Sequence, residues 1–253
     1  MASKIIVDQL QKTNLSLAAL TLPVADATVG QYMKNDGSGV LGWVDPPADV
    51  SGFHNVKFVT ATDTSVDLET GTIKILVEVL GAGGCSGGSD GSGYLGGCGG
   101  AGGYSMQQLT VVDSDTWNVT IGAGGVDAAT RNGGDTEFAQ ASGSSLGSTI
   151  TGGGGVGALD PPGSAYGPGG AGGTVTNANS GNKLNIVGAT GEQGYGGKAG
   201  RDSRWGFGGC KGTTTTGAGG NAVGYGASGG DAVGPSQLGG EGGDGLVIIW
   251  EYK

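Results

Sequence analysis

The sequence predicts a mainly β fold in which strands flank a lattice of packed polyglycine II helices, with almost no α-helix. Of its 253 residues 61 are glycine, and all but six of these lie between Gly81 and Gly245. Average glycine usage is about 7%. Within that region glycine recurs at every third position over long runs. Outside it, apolar and polar residues alternate at the period of a strand, and no stretch shows the 3.6-residue period of a helix.

Residues 1–50 form the first of two predicted domains, and residues 51–253 form the second. The first is apolar near its start and then loop-like, and adjacent Pro46 and Pro47 indicate a sharp turn or linker. A segment this short does not bury a core of its own. We therefore expect it to pack against another chain.

Strand signals appear at several places in residues 51–253. In segment 72–80 isoleucine and valine alternate from Ile73 to Val79, which leaves Lys74 and Glu78 on the opposite face. The other candidate strands are 104–112, 115–122 and the C-terminal 245–253. We expect the C-terminal strand to pair beside segment 72–80, so that sheet holds the glycine-rich region at both ends.

The glycine pattern between these strands has a structural meaning. In residues 188–212 glycine stands at every third position except Ser203, and the run from Gly81 to Gly102 is broken only at Asp90. Three residues per turn is the repeat of the polyproline II helix, on which every third residue points the same way. Glycine there leaves one edge of the helix bare, so a neighbouring backbone can approach closely.

Such a bare edge suits either a collagen triple helix or several short helices of one chain packed side by side. Collagen requires unbroken triplets with much proline, whereas this chain has seven prolines and its runs end after a few triplets. Ordering glycine costs roughly 0.5–1 kcal/mol per residue relative to alanine. Because a polyproline II helix has no internal hydrogen bonds, its amides must bond to adjacent helices. The packed lattice is favoured, and a disordered glycine-rich linker is the alternative.

Composition argues against several functional classes. The net charge is −10 and no basic stripe occurs, which argues against a nucleic-acid partner. No apolar run approaches the ~20 residues of a membrane-spanning helix, and the N-terminus lacks the apolar core of a signal peptide. Cys85, Cys98 and Cys210 include no C-x-x-C pair, so we expect buried thiols in place of disulfides or a zinc site.

An ordered series of motifs runs through residues 73–250. Val79 opens V-x-G-x-G-G, and further steps are GGAGGY at 99–104, WNVTIGAGG at 117–125, GGDTEF at 133–138 and GGDGLVII at 242–249. The series resembles the glycine-rich domain of bacteriophage tail-fibre and receptor-binding proteins. The N-terminal MASKIIVDQLQ and GQYMKNDGSGVLGWV are similar to segments of marine-phage structural proteins that attach a fibre or its tip to the virion.

The resemblance implies host recognition. Some fibre-tip adhesins of this kind stack polyglycine II helices and bind host surface molecules with the loops between them. For this chain the resemblance implies synthesis in the host cytoplasm and display on the virion as a homotrimer. Its partners would be other virion proteins, through residues 1–50, and a host surface glycan or outer-membrane protein.

Candidate receptor-binding residues lie where the glycine pattern breaks, since binding residues concentrate on loops. The breaks are 88–96, 158–169 and 201–208. Aromatic rings pack on sugars or apolar patches, and arginine binds carboxylate or phosphate. The candidates are Arg201, Arg204, Trp205, Phe207, Tyr166 and Tyr94. Alternatively, the aromatic residues fill the apolar edge of the lattice.

Signals for an enzyme are weak, and we predict no catalytic residues, cofactor or metal. GSSLG around Ser145 fits a nucleophile elbow, but the only histidine, His54, precedes it and no helix is predicted to follow. A purely structural virion protein, such as a head fibre or capsid decoration protein, remains the main alternative. An ice-binding protein is a third, although the aromatic loops would spoil the flat face that ice requires.

Overall fold

The computed structural model describes residues 31–35, 40–44, 52–90, 94–112, 114–126, 131–143, 145–161, 166–195, 197–212 and 217–253. The chain divides into two units, residues 1–50 and 51–253. In the first unit β1 (Tyr32–Asn35) and β2 (Leu41–Val44) form an antiparallel hairpin. The apolar start of the chain and the Pro46-Pro47 turn, for which we expected packing against another chain and a linker, lie outside the described residues.

The second unit consists of short antiparallel strands joined by glycine-rich segments, and its described residues include no helix. In chain order the strands are β3 (Phe53–Val59), β4 (Asp63–Val66), β5 (Lys74–Leu80), β6 (Tyr104–Thr110), β7 (Thr116–Thr120), β8 (Thr136–Ser142), β9 (Ile150–Gly152), β10 (Val175–Asn177), β11 (Lys183–Ile186), β12 (Gly206–Phe207), β13 (Val223–Gly224) and β14 (Leu246–Tyr252).

Two five-stranded sheets form a sandwich. Sheet I has the order β11-β6-β5-β14-β3, and sheet II has the order β10-β9-β8-β7-β4. Their facing sides share one hydrophobic core, in which Ile75 and Val77 of sheet I meet Trp117 and Phe138 of sheet II. The rings of Trp117 and Phe138 stack with centroids 4.8 Å apart. This core anchors the lattice, because the glycine-rich segments begin and end at its strands.

The mainly β fold and the pairing of the C-terminal strand are confirmed. Strand β14 lies antiparallel beside β5, with Val77 opposite Ile249. The predicted alternation of side chains along β5 is also confirmed on the face that packs in the core. Glu78 lies on the opposite face, as the alternation predicts, and it is buried there. On the neighbouring strands of sheet I, most of the side chains that point to the same face as Glu78 are apolar.

The glycine-rich segments are bonded to one another through their backbones with a period of three. In segment 81–89 successive amides donate in three different directions, and each direction recurs every third residue. Gly81, Gly84 and Gly87 donate to segment 97–103, Ala82 and Cys85 to segment 131–134, and Gly83, Ser86 and Ser89 to segment 237–243, all over 2.8–3.1 Å. Three-fold bonding of this kind is what packed polyglycine II helices require.

The glycines at every third position are needed because neighbouring backbones come too close for a side chain. A Cβ atom on Gly188 would lie 2.0 Å from the carbonyl oxygen of Ala101, and one on Gly191 would lie 1.9 Å from that of Cys98. Neither glycine has a positive φ. Glycine is therefore required at these positions for lack of volume, and its conformational freedom is not used.

The lattice has one end at the sandwich and one end far from it. Segment 81–89 leaves β5 and segment 96–103 returns to β6, so the bond from Gly81 to Gly103 lies next to the sheet while the bond from Gly96 to Gly88 lies at the far end. At about 3.1 Å per residue this places the far end roughly 25 Å from sheet I. The described residues at this distal end are 89–90, 94–95, 159–161, 166–167, 194–195 and 234–237.

Candidate functional site

Three tyrosines meet at the distal end of the lattice. The ring of Tyr166 contacts that of Tyr94, with centroids 5.5 Å apart at 73°, and that of Tyr195, with centroids 5.2 Å apart at 82°. Both contacts are edge to face. Tyr195 is 70% exposed. We call these three residues the distal tyrosine cluster.

Backbone bonds to the lattice hold the cluster in place. The amide of Tyr94 donates to Asp90 Oδ1 over 2.9 Å, and the isolated bridge between Ser89 and Leu95 closes the same turn. The amide of Gly194, one residue before Tyr195, donates to the Gly167 carbonyl, one residue after Tyr166. The rings therefore extend from turns whose bases are fixed by lattice hydrogen bonds.

An ion pair joins lattice segments near the distal end. Arg131 donates from both η nitrogens to the two oxygens of Asp160, over 2.9 and 2.7 Å, and also to the Ala158 carbonyl over 3.0 Å. Asp160 additionally accepts from the Gly88 amide over 2.7 Å. The hydrogen bonds from Arg131 lower the pKa of Asp160 against the opposing effect of burial. The carboxylate therefore stays charged and ties segments 81–89 and 153–161 together.

The third predicted loop, residues 201–208, is not at the distal end. Arg201 Nη2 donates to Glu192 Oε1 over 2.6 Å, and its Nε donates to the Thr190 carbonyl over 3.0 Å. The charge of Arg201 is the main cause of a lowered pKa at Glu192, and Lys198 adds to it. Arg201 thus cross-links two lattice segments at the surface.

Arg204 and Trp205 contact the buried carboxylate of Glu78. Oε2 of Glu78 accepts from Arg204 Nε over 3.1 Å, from Trp205 Nε1 over 3.3 Å and from the Tyr104 hydroxyl over 2.7 Å. Oε1 accepts from Trp250 Nε1 over 2.9 Å. The guanidinium of Arg204 also lies 4.9 Å from the centre of the Tyr104 ring. These contacts fix the start of the β12–β13 hairpin on the outer face of sheet I.

The pKa of Glu78 follows from the balance of these contacts. Burial alone would raise it, but hydrogen bonds from Tyr104 and Trp250 and the charge of Arg204 outweigh burial and hold the pKa below its usual value. Burial and the bond to Glu78 raise the pKa of Tyr104 in turn. Glu78 is therefore ionised in the folded protein and Tyr104 is a neutral donor.

Phe207 differs from its sequence neighbours. It lies in β12, paired with Val223 of β13, and its side chain is 72% exposed. The six candidate residues thus separate into the tyrosines at the distal end, Arg201 on the lattice flank, and Arg204, Trp205 and Phe207 beside sheet I.

Two residues of interest, Tyr195 and Glu78, are absent from the site residues predicted from the sequence. Tyr195 follows one of the glycines that recur at every third position, in the sequence GEQGYGG. A large residue directly after such a glycine is a signal of a turn that could have been recognised. Glu78 was placed only on the face of its strand opposite the isoleucines and valines, and nothing in the local sequence reveals that Arg204, 126 residues later, covers it.

Buried ionisable groups also occur inside the lattice. Cys85 and Cys98 are buried thiols outside any disulfide, as expected, whereas the prediction of burial is wrong for Cys210, which is exposed. Burial raises the pKa of Asp231 to about 7, against a smaller lowering by the nearby backbone amides of Lys198 and Ala232. Within the described residues neither carboxylate oxygen of Asp231 accepts a hydrogen bond. Burial, with the charge of Asp231 next, raises the pKa of Cys98 to about 12.

Ser145, the candidate nucleophile position, donates to Asp115 Oδ2. In the part of the chain that the structure describes, no group of histidine, cysteine, aspartate and glutamate side chains could hold a metal ion. Nor do the described residues form a helix that is long and apolar enough to cross a membrane.

The chain matches the family described as glycine-rich domain over residues 59–252. This range includes the lattice and all strands of the sandwich except most of β3. No curated protein is significantly similar to the chain.

Proposed function

We propose that this chain, which belongs to the glycine-rich domain family, is a bacteriophage virion fibre or tail-tip protein that adheres to the host cell surface. In this proposal residues 1–50 attach the protein to other virion proteins, three copies assemble, and the glycine-rich domain presents its distal turns to the host. The protein is made in the host cytoplasm and displayed on the particle exterior.

The single observation that carries the proposal is the distal tyrosine cluster. Tyrosine combines an apolar ring with a hydroxyl, which suits contact with sugars and with mixed polar and apolar protein surfaces. Because lattice hydrogen bonds fix the backbone on both sides, little conformational entropy is lost when the rings bind a partner. A host surface glycan or an outer-membrane protein loop is the receptor that this surface suits.

The lattice supports the same proposal through its rigidity. Each turn at the distal end joins segments that are hydrogen-bonded along their length, so the turn sequence can change without loss of the segments beneath. Leu159 and Leu238 are exposed at or next to this end and extend the apolar contact area. Arg201, Arg204 and Trp205 are already engaged with Glu192 and Glu78, so their contribution to receptor binding is expected to be smaller.

The test uses fluorescently labelled full-length protein on host cells that the virus infects. We expect the protein to label the cells and to block infection, and Tyr195→Ala to weaken labelling at least tenfold. Val156→Ala is the control, since it also shortens an exposed apolar side chain but lies on the lattice between the sandwich and the distal end, and we expect it to label normally.

Other outcomes are equally informative. If Tyr195→Ala labels host cells as strongly as the wild type does, the distal site is wrong. If the protein labels no host cell while virions incorporate it, the second candidate function, a structural head fibre or decoration protein, is supported. The tyrosine rings pack edge to face on one another. This packing also suits the second candidate, in which the rings stabilise the distal end and bind no receptor.

A further inference from the structure

We propose that copies of this chain associate through the outer face of sheet I. This face is the side of sheet I that points away from the sandwich core, together with the adjoining β12–β13 hairpin. The inference concerns contacts between copies and does not depend on host recognition by the distal end.

The outer face is apolar along whole rows of neighbouring strands. The row through Glu78 carries Phe58, Ile248, Met106 and Leu184, and the row through Leu80 carries Leu246, Tyr104 and Ile186. In an antiparallel sheet with one solvated side, these positions would be polar. The rows therefore indicate a face that is covered in the assembled protein.

Within one copy, the described residues cover only the middle of this face. Trp205, Arg204 and Tyr225 of the hairpin lie over Glu78, Leu80 and Tyr104, whereas the two sides remain open. On the β3 side the ring of Phe53 contacts the rings of Trp250 and Tyr252 at 6.1 and 6.2 Å. The open apolar side chains on the β11 side are Leu184 and Ile186.

The exposed apolar area is of the size that association requires. Phe53 and Phe58 are each 59% exposed, Phe207 is 72% exposed and Trp205 is 38% exposed. An aromatic side chain offers about 150–250 Å² of surface, so these four rings expose roughly 350–550 Å². Leu184, Ile186 and Val223 add further apolar surface. The total approaches the ~800 Å² that each partner buries in a standard protein interface, and single exposed patches of this extent mark interaction sites.

The composition and charge of the face favour a second copy of the same chain. Aromatic residues, methionine and arginine are enriched at interface centres and lysine, aspartate and glutamate are depleted. The charge of Glu78 at the centre is balanced by Arg204. Two such faces can therefore meet without like-charge repulsion, although the whole chain carries a net charge of −10. Two copies can pair through this face symmetrically, or each copy can contact the next one in a ring. Either arrangement gives a closed assembly.

The test is the mass of the full-length protein in solution as a function of concentration, by sedimentation equilibrium. We expect the wild-type chain to assemble at micromolar concentration and Phe58→Glu to raise the dissociation constant at least tenfold. Phe207→Glu, on the hairpin, should do the same. Because both side chains are largely exposed, neither substitution should unfold the protein, which thermal unfolding checks.

Leu238→Glu is the matched control, because it also places a carboxylate on an exposed leucine but lies near the distal end. It should assemble like the wild type. A wild-type chain that stays monomeric, or assembly that Phe58→Glu and Phe207→Glu leave unchanged, would overturn the proposal. If the wild type is monomeric and Phe58→Glu weakens host-cell labelling, the face binds another partner and association of copies is wrong.

Discussion

Arg204 Nε lies 3.1 Å from Oε2 of Glu78, although the two residues are 126 positions apart in the sequence. Arg204 was expected in a receptor-binding loop, and its contact with a buried carboxylate shows that it also fastens a hairpin to sheet I. A charged group buried without partners is costly, so Glu78 and its four donors behave as one unit that joins β5, β6, β14 and the hairpin.

Replacement of Glu78 tests this unit. We expect Glu78→Gln to lower the free energy of unfolding by about 1–3 kcal/mol at pH 7, since the amide cannot accept from all four donors and leaves Arg204 without its counter-charge. Chemical denaturation measures the effect. Glu241→Gln removes an exposed carboxylate and should change stability by less than about 0.5 kcal/mol.

The effect of Glu78→Gln should depend on pH. Because the pKa of Glu78 is lower in the folded than in the unfolded protein, its charge contributes stability that is present above the unfolded pKa and is lost as pH falls through the folded pKa. The difference between wild type and variant should therefore shrink below about pH 4. A difference that is equally large at pH 3 and pH 7 would mean that Glu78 stabilises the protein by packing and not by charge.

A single added methyl group tests the close approach of lattice segments. A Cβ on Gly100 would lie 1.9 Å from the Ala171 carbonyl oxygen, whereas one on Gly147 would lie 3.4 Å from its nearest neighbour, Asn179 Oδ1. We expect Gly100→Ala to destabilise the domain by more than about 3 kcal/mol, at or beyond the upper end of ordinary overpacking. Gly147→Ala should be within about 1 kcal/mol of the wild type. Equal stability of the two variants in denaturant would contradict the packing.

Asp231 should make the protein less stable as pH rises. Its pKa is raised to about 7 in the folded protein, against about 3.9 in an unfolded chain. The folded state therefore holds one more proton between these values, and stability falls as pH rises through that window. Asp231→Asn should remove this loss, which amounts to roughly 4 kcal/mol, so the variant gains stability relative to wild type from pH 4 to pH 8. Thermal unfolding across this range measures it, and a difference that is independent of pH would show that Asp231 is ionised throughout.

The fold class could be predicted from the sequence because its signals are local. Alternation along β5 and the β-branched run of β14 are read from a few adjacent residues, and the period-three glycines predict helices that pack by backbone contact. The partners of each segment could not be predicted, because a glycine edge carries no side chain that could distinguish segment 97–103 from segment 237–243 as a neighbour.

The candidate site was predictable only in part for the same reason. Tyr94 and Tyr166 were found as large residues in breaks of the glycine pattern, but their contact through the lattice, and the addition of Tyr195, depend on which segments lie side by side. Arg204 and Trp205 are also large residues in a break of the glycine pattern, so the local sequence does not distinguish them from the tyrosines. Their contact with Glu78 arises because the chain returns to sheet I between two lattice segments, and no neighbouring residue indicates that return.

Backbone amide exchange tests the central claim that the glycine-rich segments form a rigid, hydrogen-bonded lattice. The account predicts that in the full-length protein the amides of Gly84, Gly100 and Gly191 exchange about as slowly as those of β5 and β14, because each donates to a neighbouring segment over 2.8–2.9 Å. Rapid exchange of these glycine amides beside protected strands would show that the segments are mobile, and the distal tyrosines would then have no fixed support.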